Sequence, residues 1–173
     1  FKVAFSITGS AIDQLEMHTP EVIRSFQELA ATGNVEFLAE TYSHSLASLS
    51  EDTDEFEQQV KRHSNAIKQL FGKKPVTFRN TSLIYSDQIG ERVAKLGFKT
   101  MLTDGAKHVL GWKSPNFVYT NALDENLNLL LKNSKLSDDI ANRFSDSNWS
   151  EYPLTSEKYD TWVESSLRDT EVL

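Results

Sequence analysis

The segment VTFRNTSLIYSDQIGERVAKLGFKTMLTD, residues 76–104, has the pattern of a strand, a helix and a second strand. Short apolar runs over Val76–Phe78 and Thr100–Thr103 have the length of buried strands. Between them a helix is predicted to begin at Ser86 or Asp87, because either side chain is a good N-cap and a glycine follows the last apolar position. The apolar residues that share one face of this helix are Ile89, Val93 and Leu96.

The same alternation precedes this strand–helix–strand unit. Strands are predicted at Val3–Ile7 and Val35–Ala39, and helices at 19–33 and 52–72. Both helices have a capping residue before them and a glycine at their end. Strands that alternate with helices of this length are joined by right-handed crossovers, which predicts a mainly parallel sheet with the helices packed outside it.

Beyond this unit the alternation stops. Two apolar runs, Phe117–Tyr119 and Leu127–Leu131, indicate an added hairpin or loop. Residues 136–145 are predicted to be irregular or a short helix. A last helix is predicted from Thr155 or Ser156, because an apolar stripe at helical spacing follows.

Chain length limits the fold. A complete (β/α)8 barrel takes about 200 to 250 residues, more than the 173 of this chain. We therefore predict an α/β fold that is part of such a barrel, with a small doubly wound sheet as the alternative. We expect residues 1–173 to form a single domain. Because a strand pattern begins at once and no start methionine precedes it, we expect a fragment whose neighbouring segments lie outside the sequence.

Charge and composition exclude several classes of protein. Lys and Arg number 18 against 25 Asp and Glu, a formal net charge of −7, so a nucleic-acid partner is not expected. The chain has no cysteine, which excludes disulfides, cysteine-ligated metals and thiol catalysis within it and fits a cytoplasmic environment. Its apolar runs are far shorter than the roughly 20 residues that cross a bilayer. We therefore expect a soluble protein without a membrane partner.

Each predicted strand is followed at once by small polar or ionisable residues. These segments are Thr8–Ser10, Glu40–His44, Arg79–Ser82 and Thr103–Gly105. The carboxyl ends of parallel strands in an α/β fold lie at one surface, where ligands bind. We therefore expect the four segments to converge on a shared site.

The strongest candidate residues lie in these segments. Arg79 has a fixed charge and a fork of donors, and together with Asn80 it is suited to orient a sugar hydroxyl or a carboxylate. A loop-anchoring salt bridge is the alternative. His44 is suited to bond a substrate hydroxyl or to act as acid or base, unless it is packed in its loop. Ser82 has no visible base beside it and no nucleophile elbow around it, which argues against a serine triad.

Residues elsewhere give weaker indications. Trp112 lies in a turn-rich segment, where an indole stacks on a sugar ring or packs as a lid, and Trp149 has the same two interpretations. Asp138 and Asp139 are adjacent carboxylates at an active-site rim, unless Ser137 or Asp138 is the N-cap of a helix. His63 falls on the apolar stripe of its helix and is interpreted as a core residue. No histidine pair has ligand spacing, so no metal site is predicted.

Four strings at or near the predicted strand ends form a family pattern. They are FRNTSLIYSD at 78–87, LTDGA at 102–106, GWKSPN at 111–116 and LSDDI at 136–140. Together they resemble the α-amylase group of glycoside hydrolase family 57 over nearly the whole chain. The resemblance implies an incomplete (β/α)7-type, TIM-like barrel, action on α-1,4-glucans by a retaining mechanism, and no required metal or cofactor.

The resemblance also assigns roles to residues. The family nucleophile is a glutamate in an FRNTELIY string, and Ser82 occupies its place here. Asp104 stands where a glutamate is expected in an LTEG string. Retaining hydrolysis needs two carboxyl groups about 5 to 5.5 Å apart, so the resemblance implies an α-amylase-like hydrolase that is impaired or inactive. The residues expected to bind an α-glucan or maltooligosaccharide are His44, Arg79, Asn80, Asp104, Trp112 and Asp138.

Two other functions stay open. One is a non-catalytic carbohydrate-binding or regulatory module that uses the same side chains for recognition alone. The other is a metal-dependent polysaccharide deacetylase on a related barrel, which needs paired histidines and an aspartate around a divalent ion. The scattered histidines argue against it.

Overall fold

The computed structural model describes residues 2–168, whose contacts divide them into two units. The first unit extends to Thr103 and includes Thr120–Leu129. The second comprises Asp104–Tyr119 and the described residues from Leu130 onward. The expectation of a single domain stays a prediction. Within residues 2–168 no helix combines the length and apolar character that a membrane span requires.

Strands and helices alternate from the start of the described chain. In order they are β1 Val3–Phe5, α1 Gly9–His18, α2 Pro20–Ala31, β2 Val35–Phe37, α3 Asp54–Phe71, β3 Thr77–Arg79, α4 Asp87–Lys95 and β4 Thr100–Asp104. The residues that follow form α5 Lys107–Leu110, β5 Tyr119–Thr120, β6 Asn128–Lys132, α6 Ser134–Ala141 and α7 Ser156–Arg168. The last helix and the short helix before it confirm the sequence prediction for those segments.

The strands β1 to β4 are parallel neighbours in chain order. β1 pairs with β2, and β3 with β4, in parallel register. Ala39, just after β2, forms a parallel bridge to Phe78 of β3, and β6 and then β5 follow β4 in the second sheet. A doubly wound sheet reverses its strand order at a switch point, whereas strands of a barrel follow one another in sequence. The order of β1 to β4 confirms the prediction of part of a barrel.

An aromatic cluster fixes two helices against β1 and β2. Phe37 of β2 stacks on Phe71 of α3 with 4.1 Å between ring centroids. Phe26 of α2 meets both rings edge-on and also contacts Phe5 of β1 at 5.2 Å. Such pairs contribute about 0.5–1.5 kcal/mol each beyond the burial of their area. The helices are therefore anchored along the strands, and the polar residues after each strand are left for other contacts.

Helix α1 is absent from the sequence prediction, which treats Thr8–Ser10 only as a polar strand end. Thr8 is in fact the N-cap of this helix, and its Oγ1 accepts from the Ala11 amide at 3.1 Å. Apart from Gly9, Ile12 is the one fully buried residue in α1. The apolar stripe is therefore too weak to mark the helix, and its capping residue is the signal that remains.

Candidate functional site

The segments after β1, β2 and β3 meet through polar side chains of the first unit. Ser6 Oγ donates to Glu40 Oε1 at 2.7 Å. The Oγ1 atoms of Thr41 and Thr81 lie 3.1 Å apart in a buried contact. Thr103 Oγ1, near the end of β4, donates to a carbonyl of the turn after β3 at 3.3 Å. These contacts confirm that the strand ends of this unit converge.

A strained turn after β3 contains Ser82. Ser82 and Leu83 have φ values of 53° and 56°, in the left-handed region that costs a non-glycine residue roughly 1–2 kcal/mol. The buried Asn80 holds the turn, since its Nδ2 donates to Ser48 Oγ at 2.8 Å and to the Ile84 carbonyl at 2.9 Å. Ser82 is exposed, so the turn presents this residue to solvent at the strand end.

Arg79 and Asn80 precede Ser82 and differ in what they offer to a ligand. The amide nitrogen of Asn80 is committed to the turn, so the residue supports Ser82 from inside. Arg79 ends β3 and is partly buried. Its guanidinium forms no ion pair with any carboxylate in residues 2–168, so the loop-anchoring salt bridge is not observed in that range.

A buried carboxylate contacts His44 at the end of β2. The side chain of Glu40 is 1% exposed and that of His44 is 44% exposed, and 3.3 Å separates Glu40 Oε2 from His44 Nδ1. His44 has φ 54°, which places its ring on a tight left-handed turn. The sequence analysis places Glu40 in the polar segment after the strand but assigns a role only to His44. The available signal was a charged residue directly after the apolar run Val35–Ala39.

His63 of α3 connects the ends of β1 and β2 inside the core. Its Nδ1 lies 3.3 Å from the Glu40 amide and accepts from it, so this nitrogen carries no proton. Its Nε2 therefore carries the proton and donates to the Ile7 carbonyl at 2.8 Å. Burial lowers the pKa of His63 against the smaller opposite effects of Ile7 and Glu40. The prediction of a core histidine is confirmed.

Tyr42 fixes the loop after β2. Its ring packs so closely on Gly9 that a Cβ at that position would overlap the ring. The Arg62 guanidinium lies 3.7 Å from the ring centroid, and the hydroxyl donates to Asp13 Oδ1 at 2.6 Å. Burial, followed by the Asp13 carboxylate, raises the pKa of Tyr42. Helices α1 and α3 thus hold the loop that contains His44.

The second unit contains the other predicted binding residues. Asp104 is exposed, and Trp112, just after α5, is 76% exposed. Asp138 Oδ1 accepts from Lys132 Nζ at 3.3 Å. Ser137 and Asp138 lie inside α6, whose N-cap is Asn133, so the alternative of a helix N-cap at either residue is wrong.

Other polar and aromatic candidates of this unit have internal partners. Trp149 packs edge-on against Trp162, with ring centroids 5.9 Å apart, which favours the packing interpretation. The buried Asp139 forms an ion pair with Arg143 one turn later in the chain. Within residues 2–168, no three His, Asp or Glu side chains come together as a set that could hold a metal ion.

Parallel strand–helix units with polar residues at the strand ends define part of a TIM-like barrel fold. The chain belongs to glycosyl hydrolase family 57, whose family model matches residues 1–173. A relative from Methanocaldococcus jannaschii, named "Putative alpha-amylase", is 45% identical over 166 residues, covering 96% of this chain and 35% of that protein. The chain thus spans about a third of the length of this relative.

Solved structures share the fold. The 4-alpha-glucanotransferase from Thermococcus litoralis superposes with a TM-score of 0.78 at 16% identity, covering 96% of this chain and 25% of that chain. A "putative polysaccharide deacetylase" from Mycobacterium smegmatis has a TM-score of 0.64 at 20% identity, covering 98% of this chain and 54% of that chain. At these identities the likeness shows the fold alone. The family predicted from the sequence is confirmed by the family match and the archaeal relative.

Proposed function

We propose that this chain is part of a family 57 barrel that binds α-1,4-glucan at its strand ends and, because Ser82 occupies the nucleophile position, does not hydrolyse it. The α-amylase name of the archaeal relative supports the substrate class. The observation on which the proposal depends is the turn after β3, where an exposed hydroxyl stands at the place that the family resemblance gives to a glutamate.

A serine at this position lacks what the reaction requires. In a retaining glycosidase one carboxylate attacks the anomeric carbon while a second carboxyl group, about 5 to 5.5 Å away, protonates the leaving oxygen. A hydroxyl attacks poorly unless an adjacent base removes its proton. Among residues 2–168, no histidine or carboxylate is hydrogen-bonded to the Ser82 hydroxyl. We therefore expect saccharide to bind without cleavage.

The binding role is assigned to polar and aromatic groups that each unit leaves accessible. In the first unit these are the Arg79 guanidinium and the half-exposed ring of His44, with Asn80 supporting the turn from inside. In the second unit the exposed indole of Trp112 is suited to stack on a sugar face. Asp104 and Asp138 are assigned as acceptors for sugar hydroxyls.

Restoring the carboxylate tests the catalytic half of the proposal. Release of reducing sugar from soluble starch is measured for the full-length protein, for Ser82→Glu and for Ser82→Gln as the matched control of similar size. We expect no release above background from the unmodified protein and from Ser82→Gln, and measurable turnover from Ser82→Glu. Robust turnover by the unmodified protein would overturn the proposed inactivity. A Ser82→Glu protein that binds glucan but gains no turnover would overturn the assignment of position 82.

Calorimetric titration with maltohexaose tests the binding half. A heat of binding is expected for the unmodified protein and a weaker affinity for Arg79→Gln, since the guanidinium bonds through charge-assisted donors. A folded protein that gives no heat of binding with maltohexaose would contradict the carbohydrate-binding role. The barrel would then have a structural role only.

A further inference from the structure

We propose that Glu40 is a positioning residue, which holds a proton on Nδ1 of His44 and thereby fixes the ring with Nε2 free to accept a saccharide hydroxyl. The saccharide in this inference comes from the proposed function. The position of the proton follows from the first unit alone.

Glu40 is held at three points, two on its carboxylate and one on its backbone. Its Oε1 accepts from Ser6 Oγ at 2.7 Å, which commits that oxygen to the end of β1. Its backbone amide donates to His63 Nδ1 at 3.3 Å, which ties the residue to α3. The remaining oxygen, Oε2, lies 3.3 Å from His44 Nδ1. A side chain this constrained and 1% exposed has little freedom to turn away from the ring.

The charge of Glu40 determines which group donates the hydrogen bond between Glu40 and His44. An ionised carboxylate accepts hydrogen bonds and donates none. A buried carboxylate without a charged or donating partner at each oxygen is strongly destabilising. Ser6 satisfies Oε1, and within residues 2–168 the basic side chain within ion-pair distance of Oε2 is His44. A proton on His44 Nδ1 satisfies the carboxylate, whereas a bare Nδ1 would place a lone pair against it.

The other nitrogen of the ring then becomes the functional one. The hydrogen bond made by one imidazole nitrogen sets the protonation of the other, so a neutral ring with Nδ1–H has an acceptor at Nε2. The side chain is 44% exposed, and its loop is held by Tyr42 between α1 and α3. Sugar hydroxyls are donors that match this acceptor.

Nitrogen-15 NMR of the histidine-labelled protein tests the proton position directly, with the ring in its neutral form. We expect His44 to be the Nδ1–H tautomer, the reverse of the Nε2–H tautomer assigned to His63. In Glu40→Met, which keeps the side-chain length and removes the acceptor, His44 is expected to shift towards Nε2–H. Glu40→Gln preserves the shape of the side chain and replaces the Met variant if that variant unfolds. It should lower the fraction of His44 in the Nδ1–H tautomer, because the amide can accept from a protonated Nδ1 or donate to a bare one. Glu57→Gln is the matched control, since Glu57 is a partly exposed acid that pairs with Lys61 on α3 and is remote from His44 in the hydrogen-bond pattern.

Coupling in maltohexaose binding tests whether Glu40 acts through His44. Glu40→Met and His44→Asn are each expected to weaken affinity about fivefold, the size of one hydrogen bond. Asparagine suits position 44 because it tolerates the left-handed backbone found there. Both substitutions remove the same interaction between His44 and the saccharide. The double variant should therefore bind no more weakly than His44→Asn alone.

The outcomes separate this inference from the proposed function. A neutral His44 found as Nε2–H in the unmodified protein, or a tautomer that both Glu40 variants leave unchanged, would overturn the positioning role. If the losses of maltohexaose affinity in the two single variants add up in the double variant, Glu40 does not act through His44. If maltohexaose does not bind at all, the proposed function fails while the NMR result still decides where the proton lies.

Discussion

Strain at the scale of single residues is concentrated in two turns. In residues 2–168 the non-glycine residues with positive φ are His44, Ser82 and Leu83, and they lie in the turns that follow β2 and β3. Such strain persists only where surrounding contacts over-determine the backbone, and it is typical of functional sites. The fixed amide of Asn80 supplies those contacts in the second turn.

Replacing Ser82 with glycine should stabilise the protein. Glycine removes the Cβ penalty of the left-handed backbone and adds entropy to the unfolded chain, which leaves a net gain of about 0.5–1 kcal/mol in the free energy of unfolding. Urea denaturation measures it. Ser50→Gly is the control, because Ser50 has φ −72° and gains no such relief. A Ser82→Gly protein less stable than the unmodified one would show that the turn is unstrained or that the serine side chain contributes to its stability.

At the scale of elements, α3 joins the strands from outside. Its Phe71 stacks on β2, and its His63 bonds the backbone just after both β1 and β2. The histidine spans two backbone groups, one a donor and one an acceptor, and a neutral ring satisfies both. A protonated ring has no acceptor to offer the Glu40 amide. The packing of this layer therefore depends on the charge of one imidazole.

Stability should fall in mild acid because of His63. Its pKa in the unfolded chain is the ordinary 6.5, and burial places the folded value lower. Between the two values the unfolded chain binds a proton that the folded chain does not, so the free energy of unfolding rises with pH there and falls as pH is lowered. Urea denaturation at about pH 7 and about pH 5 should show this loss, and His63→Gln should reduce it. His108→Gln, at an exposed position, is the control, and an equal slope in all three proteins would contradict the prediction.

The elements with strong local signals were predictable, and those fixed by distant contacts were not. Helix α2 follows Thr19 and Pro20, and α3 ends at Gly72 in a left-handed cap, so capping rules find both. Helix α1 lacks an apolar stripe and was missed. Glu40 is held by Ser6 and His44 at its carboxylate and by His63 at its backbone amide. Ser6 and His63 lie far from position 40 along the chain, so no local pattern indicates these contacts.

The candidate site likewise combines features that the sequence predicts with features that depend on distant contacts. Family strings and strand ends indicate which segments meet, and the structure brings together those of the first unit. The left-handed backbone at Ser82 could not be predicted, because no glycine marks it and Asn80 imposes it through Ser48 and Ile84.

At the scale of the whole molecule, glucan binding should raise stability. A ligand that binds only the folded state adds about 2.7 kcal/mol at about 100 times its Kd. Maltohexaose is therefore expected to raise the midpoint of thermal unfolding in a concentration-dependent way. Cellohexaose has the same sugar units in β-1,4 linkage and is the matched control. An equal shift by both saccharides would contradict a site selective for α-1,4-glucan.

The chain-order arrangement of β1 to β4 also bears on how the protein is made. Each of these strands finds its partner in the strand that the ribosome released before it, so this part of the sheet can grow in the order of synthesis. Partners separated by a single crossover close shorter loops than strands paired further along the chain would, so each step costs less chain entropy. A nascent chain can therefore cover the edge of one strand as soon as the next emerges, which limits its exposure to aggregation.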